Sequence, residues 1–171
     1  MIAALIAAAV AAATPTPDYG IAEGQCRPHE TGPAAVVTVE GLRDRTGKLR
    51  LELYSPVDGE FGGDDRDLVR DGKVFRRAVM PIPASGPVEM CIRAPHAGEW
   101  ALILIHERAG RKKFDPFMDG AGFSGNPRVG KKKPPAAEAR IEIGRGPTPT
   151  AIRLNYLHGL FQFGPIKDPV T

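Results

Sequence analysis

The chain has 171 residues, 42% hydrophobic and 25% charged, with a net charge of +3 and two cysteines. These are ordinary globular values, and the length suits one domain with a sizeable core. After residue 13 no segment approaches the ~18 apolar residues of a membrane helix, which excludes such a span from the rest of the chain.

Residues 1–13 read MIAALIAAAVAAA. The run is too short to cross a bilayer, has no polar face and ends in Ala11-Ala12-Ala13, the small-x-small pattern of a signal peptidase site. It is expected to be a signal peptide, which places the mature protein in the periplasm or outside the cell. Cys26 and Cys91 both survive its removal, and an oxidising compartment would join them. The 64 residues between them, without a CxxC, argue against a metal or redox pair.

Residues 14–33 carry Pro15, Pro17, Pro28 and Pro33 without an apolar period, and predict an extended N-terminal arm. A β-sandwich domain is expected over 34–157, with a tail over 158–171. Val37 and Val39 alternate with Val36, Thr38 and Glu40 as a first strand. Leu49, Leu51 and Leu53 alternate with Lys48, Arg50, Glu52 and Tyr54 as a half-buried one. Asp44-Arg45-Thr46-Gly47 between them reads as a hairpin-type turn. Residues 60–72 predict one helical turn around Asp65–Val69, and Lys73–Ile82 a strand with mixed faces. Val88, Met90 and Ile92 alternate with Glu89, Cys91 and Arg93. Trp100–Ile105 is apolar on both faces, as in a central strand. Ile141 and Ile143, then Ile152, Leu154 and Tyr156, end the series, with Gly144–Pro149 as their turn. About seven short strands with hardly any helix predict an all-β, antiparallel sandwich of immunoglobulin or prealbumin outline.

Few constellations carry chemistry. Ser124 in Gly122-Phe123-Ser124-Gly125-Asn126 misses the G-x-S-x-G elbow by one position. His29, His96, His106 and His158 show no metal-ligand spacing, since His106-Glu107 begins H-E-x-x-H and then breaks it. No glycine-rich phosphate loop precedes a helix. The residues therefore lean away from an enzyme, and no cofactor, catalytic residue or metal ligand is assigned.

The unusual region is a long loop over 107–133. It holds eight basic groups (Arg108, Arg111, Lys112, Lys113, Arg128, Lys131, Lys132, Lys133) against three acids (Glu107, Asp115, Asp119), a local charge of +5, whereas the rest of the chain carries −2. It also holds Phe114, Phe117 and Phe123. Cations beside aromatic rings suit anionic polymers. Export points away from nucleic acid and toward an anionic envelope lipid or glycan, or another envelope protein. The candidate anion-binding residues are Arg111, Lys112, Lys113, Arg128, Lys131, Lys132 and Lys133. The simpler alternative is that the phenylalanines fold the loop onto the sandwich and the lysines merely solvate it.

Particular stretches also resemble a known family. Val39-Glu40-Gly41-Leu42-Arg43 followed by Gly47–Tyr54 is similar to its opening hairpin, and Trp100–Glu107 to its central strand. Lys113-Phe114-Asp115 and Gly120-Ala121-Gly122-Phe123-Ser124 resemble its signature loop. The family is the bacterial domain of unknown function 2141, and the resemblance runs from about Cys26 to Pro165. It implies an exported sandwich of transthyretin or prealbumin outline, with motif residues of unassigned role at His106, Glu107, Asp115, Gly122, Phe123 and Ser124. Many members carry an acidic, Asn-rich loop after the histidine that is similar to a calcium site. Here Arg108, Arg111 and Lys112 stand where oxygen ligands are expected, leaving Glu107, Asp115 and Asp119 as the only carboxylates. Positive charge would then hold the loop in place of an ion.

The leading expectation is an exported, non-enzymatic binding or envelope-associated module acting through the basic loop. The alternative is a glycan-binding or hydrolytic accessory domain using the His106 strand end. Sugar platforms favour exposed Trp or Tyr, and the single tryptophan, Trp100, starts a buried strand. A third reading, a small enzyme pairing His106 with Asp115 or Glu107, requires both groups to converge in a pocket.

Overall fold

A computed structural model describes residues 18–110, 113–159 and 162–170; residues 1–13, the expected signal peptide, lie outside them. Within the described residues ten strands form: β1 (Ala34–Glu40), β2 (Lys48–Tyr54), β3 (Phe75–Pro81), β4 (Glu89–Arg93), β5 (Gly98–Glu107), β6 (Gly120–Phe123), β7 (Arg140–Ile143), β8 (Pro147–Arg153), β9 (Tyr156–His158) and β10 (Gln162–Gly164). Two short helices, α1 (Ile21–Gly24) and α2 (Asp65–Arg70), and a 3-10 turn at Ala136–Ala139 complete the set. The strands lie where β-branched and aliphatic residues alternate with polar ones, because the pleat sends successive side chains to opposite faces.

The fold is an all-β sandwich. The smaller sheet runs β4-β1-β8, the larger β3-β2-β5-β6 with β7 also on β5, and β9 and β10 form a two-stranded ribbon. Leu49, Leu51 and Leu53 stand opposite His106, Leu104 and Leu102 on one face of the larger sheet. They meet Ala35, Val37, Met90, Ile92 and Ile152 of the smaller sheet. Each leucine buried this way contributes roughly 1.5–3 kcal/mol. Of the alternating apolar residues expected to face inward, Leu49, Leu51, Leu53, Val88, Met90, Ile92, Ile143, Ile152 and Leu154 are buried; Ile141 is half-buried, on a strand paired on one side only.

Several local expectations change. Asp44–Gly47 is not a hairpin turn. β1 pairs β4 and β8 while β2 pairs β3 and β5, so this segment carries the chain from one sheet to the other. Gly47, at φ 82, makes the corner possible; a Cβ there would lie 2.1 Å from the Glu107 carbonyl oxygen. One pairing is parallel, β1 with β8, and β8 begins at Pro147 inside the expected turn. Pro147 and Pro149 alternate along this edge strand, so both turn their missing N–H toward the open side. Residues 107–133 are not one loop, because β6 within them pairs with β5. The arm is not wholly extended either. Its described part forms α1, the Gly20 carbonyl accepts from Arg77 N at 3.0 Å, and Gln25 bridges Ile92. The Cys26–Cys91 disulfide, with Cα atoms 5.8 Å apart, ties the arm to β4 on the side away from the core.

β2 departs most from expectation. It is buried on both faces: Glu52 is 4% exposed and Tyr54 3%. A second apolar layer, including Phe61, Leu68, Phe123, Ala136 and Ala139, covers the outer face of the larger sheet. α2 belongs to this cover, capped by Asp64, whose carboxylate accepts from Arg66 N and Asp67 N.

Candidate functional site

The outer face carries a ladder of opposite charges along β2 and its neighbours. Lys48 Nζ lies 3.1 Å from Glu107 Oε2, and the Arg50 guanidinium pairs with the other Glu107 oxygen. Arg50 Nε lies 3.2 Å from Glu52 Oε1, and Arg77 donates to that oxygen at 2.7 and 3.0 Å. Arg77 also meets Asp65 at 2.9 Å, and the Tyr54 hydroxyl donates to Glu52 Oε2 at 2.6 Å. Burial, with the Glu52 charge adding to it, pushes the Tyr54 hydroxyl far above its ordinary range, so it stays a donor. Two buried carboxylates are tolerated here because each meets cations.

A cavity of about 510 Å³ opens over this ladder. Its apolar wall includes Ile103, Ile105, Ala121 and Phe123, its polar end Arg50, Glu52 and Arg77 with Asp64 and Asp65, and its rim Phe114, Phe163 and Val129–Lys133. Lys133 is latched down, its Nζ donating to the Phe61 carbonyl and lying 4.4 Å from the centre of the Phe61 ring. Burial lowers its pKa. Lys131 and Lys132 remain exposed at the rim. The arrangement offers an apolar trough with cations above it, and such a trough suits an amphipathic anion.

The expected basic residues divide. Lys131, Lys132 and Lys133 line the cavity, whereas exposed Lys113 and Arg128 do not. Arg111 and Lys112 lie outside the described residues. Arg50 and Arg77 join the site unforeseen; the one hint was cations alternating with an acid along Lys48, Arg50 and Glu52. Phe123 folds down at 5% exposure, Phe114 meets Phe163 with ring centres 6.2 Å apart, and Phe117 is 71% exposed.

The loop after β5 is held by Asp119, 2% exposed, whose carboxylate accepts from the backbone N–H of Arg108, Ala109 and Asp115. Arg108 adds a forked pair to Asp44 and donates to the Met118 carbonyl. A guanidinium thus links loop and sheet crossover where relatives were expected to place oxygen ligands. No three His, Cys, Asp or Glu side chains among the described residues gather as metal ligands.

His106 and Glu107 point to opposite faces of β5, so they form no acid–base pair. His106 is fully buried, with Nε2 2.8 Å from the Thr46 carbonyl and Nδ1 2.7 Å from the Tyr156 hydroxyl. A carbonyl can only accept, so Nε2 carries the proton and Tyr156 donates to Nδ1. Burial lowers the His106 pKa and raises that of Tyr156 to about 12. Asp115 accepts from Phe117 N at the loop turn. Trp100 is buried at 4% exposure and offers no sugar platform.

The family described as "Uncharacterized protein conserved in bacteria (DUF2141)" matches residues 37–151. The chain belongs to this family. Searches of curated proteins and of solved structures found no match. In this DUF2141 domain the Gly120–Ser124 motif does architectural work. A Cβ on Gly120 would lie 2.4 Å from the Tyr156 ring, and one on Gly122 2.6 Å from the Arg153 carbonyl oxygen. Small residues let β6 close against β8 and β9, while Ala121 and Phe123, on the opposite side of β6, face the cavity. Ser124 is fully buried, accepting from Leu102 N at 2.8 Å and donating to the Ala139 carbonyl, so it is no free nucleophile.

Proposed function

We propose that this protein is an exported binding module of the bacterial envelope, taking an anionic lipid or phosphorylated glycan in the cavity on the outer face of the larger sheet. The observation that carries the reading is the juxtaposition there of an apolar wall with exposed Lys131 and Lys132 on the rim. Phosphate is the chemistry both ligand sources share, and the apolar wall favours the lipid. The apolar N-terminal run and the paired cysteines support export. Among the described residues no helix is long and apolar enough to cross a membrane, which fits a protein that meets the envelope at a surface.

The test is calorimetric titration of the mature protein with monomeric dodecyl phosphate, glucose 6-phosphate and uncharged dodecyl maltoside. Dodecyl phosphate should bind, with affinity falling steeply as salt shortens the Debye length from about 10 Å at 0.1 M to about 3 Å at 1 M. Lys131→Ser with Lys132→Ser should weaken it by about tenfold or more, at roughly 1 kcal/mol for each rim lysine. Binding of glucose 6-phosphate instead would assign the site to glycans. Equal affinity for dodecyl maltoside, or an unaffected double variant, would overturn the reading.

A further inference from the structure

The large apolar side chains left exposed among the described residues are not spread evenly. Phe114, Phe117 and Met118, at 38, 71 and 43% exposed, sit within one five-residue turn. The others are single valines on separate elements. A cluster of this kind on an otherwise polar surface marks a contact site, whereas scattered single residues do not.

The turn is not loose chain. Its backbone is fixed from three directions: Asp119 accepts from Asp115 N, Asp115 accepts from Phe117 N, and Arg108 donates to the Met118 carbonyl. The hydrogen bonds use the backbone and the acids and leave the apolar side chains outside. Lys113 directly precedes Phe114, and Phe114 shares the cavity lining with Lys131, Lys132 and Lys133. An apolar tip within a basic collar matches an anionic bilayer surface, which accepts rings at the acyl boundary and cations at the headgroups. A second copy of the chain would bring the same positive charge to the contact and be repelled.

We infer that the 113–118 turn is a membrane-docking tip, with Phe117 and Met118 entering the interface of an anionic bilayer. This goes beyond ligand capture in the cavity, because it concerns the surface on which the protein sits. Phe114 belongs both to the tip and to the cavity rim, so a docked protein would present that rim to the headgroups.

Sedimentation with vesicles of equimolar phosphatidylglycerol and phosphatidylcholine tests it. Phe117→Ser with Met118→Ser should reduce partitioning by about tenfold or more while leaving the melting temperature unchanged, since both side chains are exposed. The parent should partition at least about tenfold more weakly onto pure phosphatidylcholine. Phe117→Trp should be quenched by brominated acyl chains, against a native Trp100 that is buried. Unchanged partitioning of the serine variant, equal binding to neutral vesicles, or vesicle binding without quenching would each overturn the inference. The two readings fail separately. The tip variant should retain dodecyl phosphate binding, and its loss would show that the tip serves only the cavity, which sinks membrane docking.

Discussion

The Tyr156 hydroxyl lies 2.7 Å from His106 Nδ1 inside the sandwich and simultaneously accepts from Arg43 N at 3.1 Å. This join links β9 and the end of β5 to the crossover between sheets, and it needs a neutral imidazole. A histidine whose folded pKa lies below its ordinary 6.5 binds a proton less readily when folded than when unfolded. Its contribution is therefore complete above about pH 6.5 and is lost as pH falls from there through the depressed folded value. His106→Gln should be less stable than the parent near neutrality, and the gap should narrow between about pH 7 and pH 5 in urea unfolding. A gap that widens on acidification would show a charged imidazole in the fold.

Asp119 collects three backbone N–H groups in a nearly dry site. Asp119→Asn replaces one accepting oxygen by a donor and should cost about 1–3 kcal/mol. Hydrogen exchange should locate the damage at the amides of Arg108, Ala109 and Asp115. Faster exchange throughout the protein instead would show that the loop and the sandwich unfold as one.

Gly122→Ala meets both the Arg153 carbonyl of β8 and the fully buried Ile152 side chain, neither of which can swing away. Destabilisation of about 1–3 kcal/mol is expected, against about 0.5 kcal/mol or less for the matched change at Gly59, where a Cβ finds open space. Equal midpoints in chemical denaturation would contradict the close approach of β6 to β8.

The Cys26–Cys91 bond closes a sequence separation of 65 residues. Replacing both by Ala should lower stability by roughly 4 kcal/mol on the chain-entropy argument, less any structure the open chain retains. The arm should come free before the sheets do, so protease should cut near α1 in the variant while the sandwich still resists. Cleavage first within the sheets would show that the arm is held chiefly by its other contacts.

Much of this fold could be read in the residues. Alternation along Leu49–Leu53 and Val88–Ile92 is a local signal with the pleat's own period, so it marked strands and their inward faces. Two cysteines left one possible pairing, and the basic excess of 107–133 includes the lysines of the cavity rim. Sheet membership was out of reach, because it depends on partners distant in the chain. Arg43 meets Tyr156 across 113 positions, and β1 takes β8 as a parallel neighbour. Local alternation cannot distinguish a hairpin from a crossover, and so Asp44–Gly47 reads as a turn in sequence although it joins the two sheets. Nor can it tell whether a strand's polar face meets water. Glu52 looks like a solvated residue in sequence; only the cover built from Phe61, Leu68 and Ala136 encloses that part of the outer face and turns it into a cavity. Local chemistry determined where strands form, and the packing of distant segments decided which faces became core and which became a candidate site.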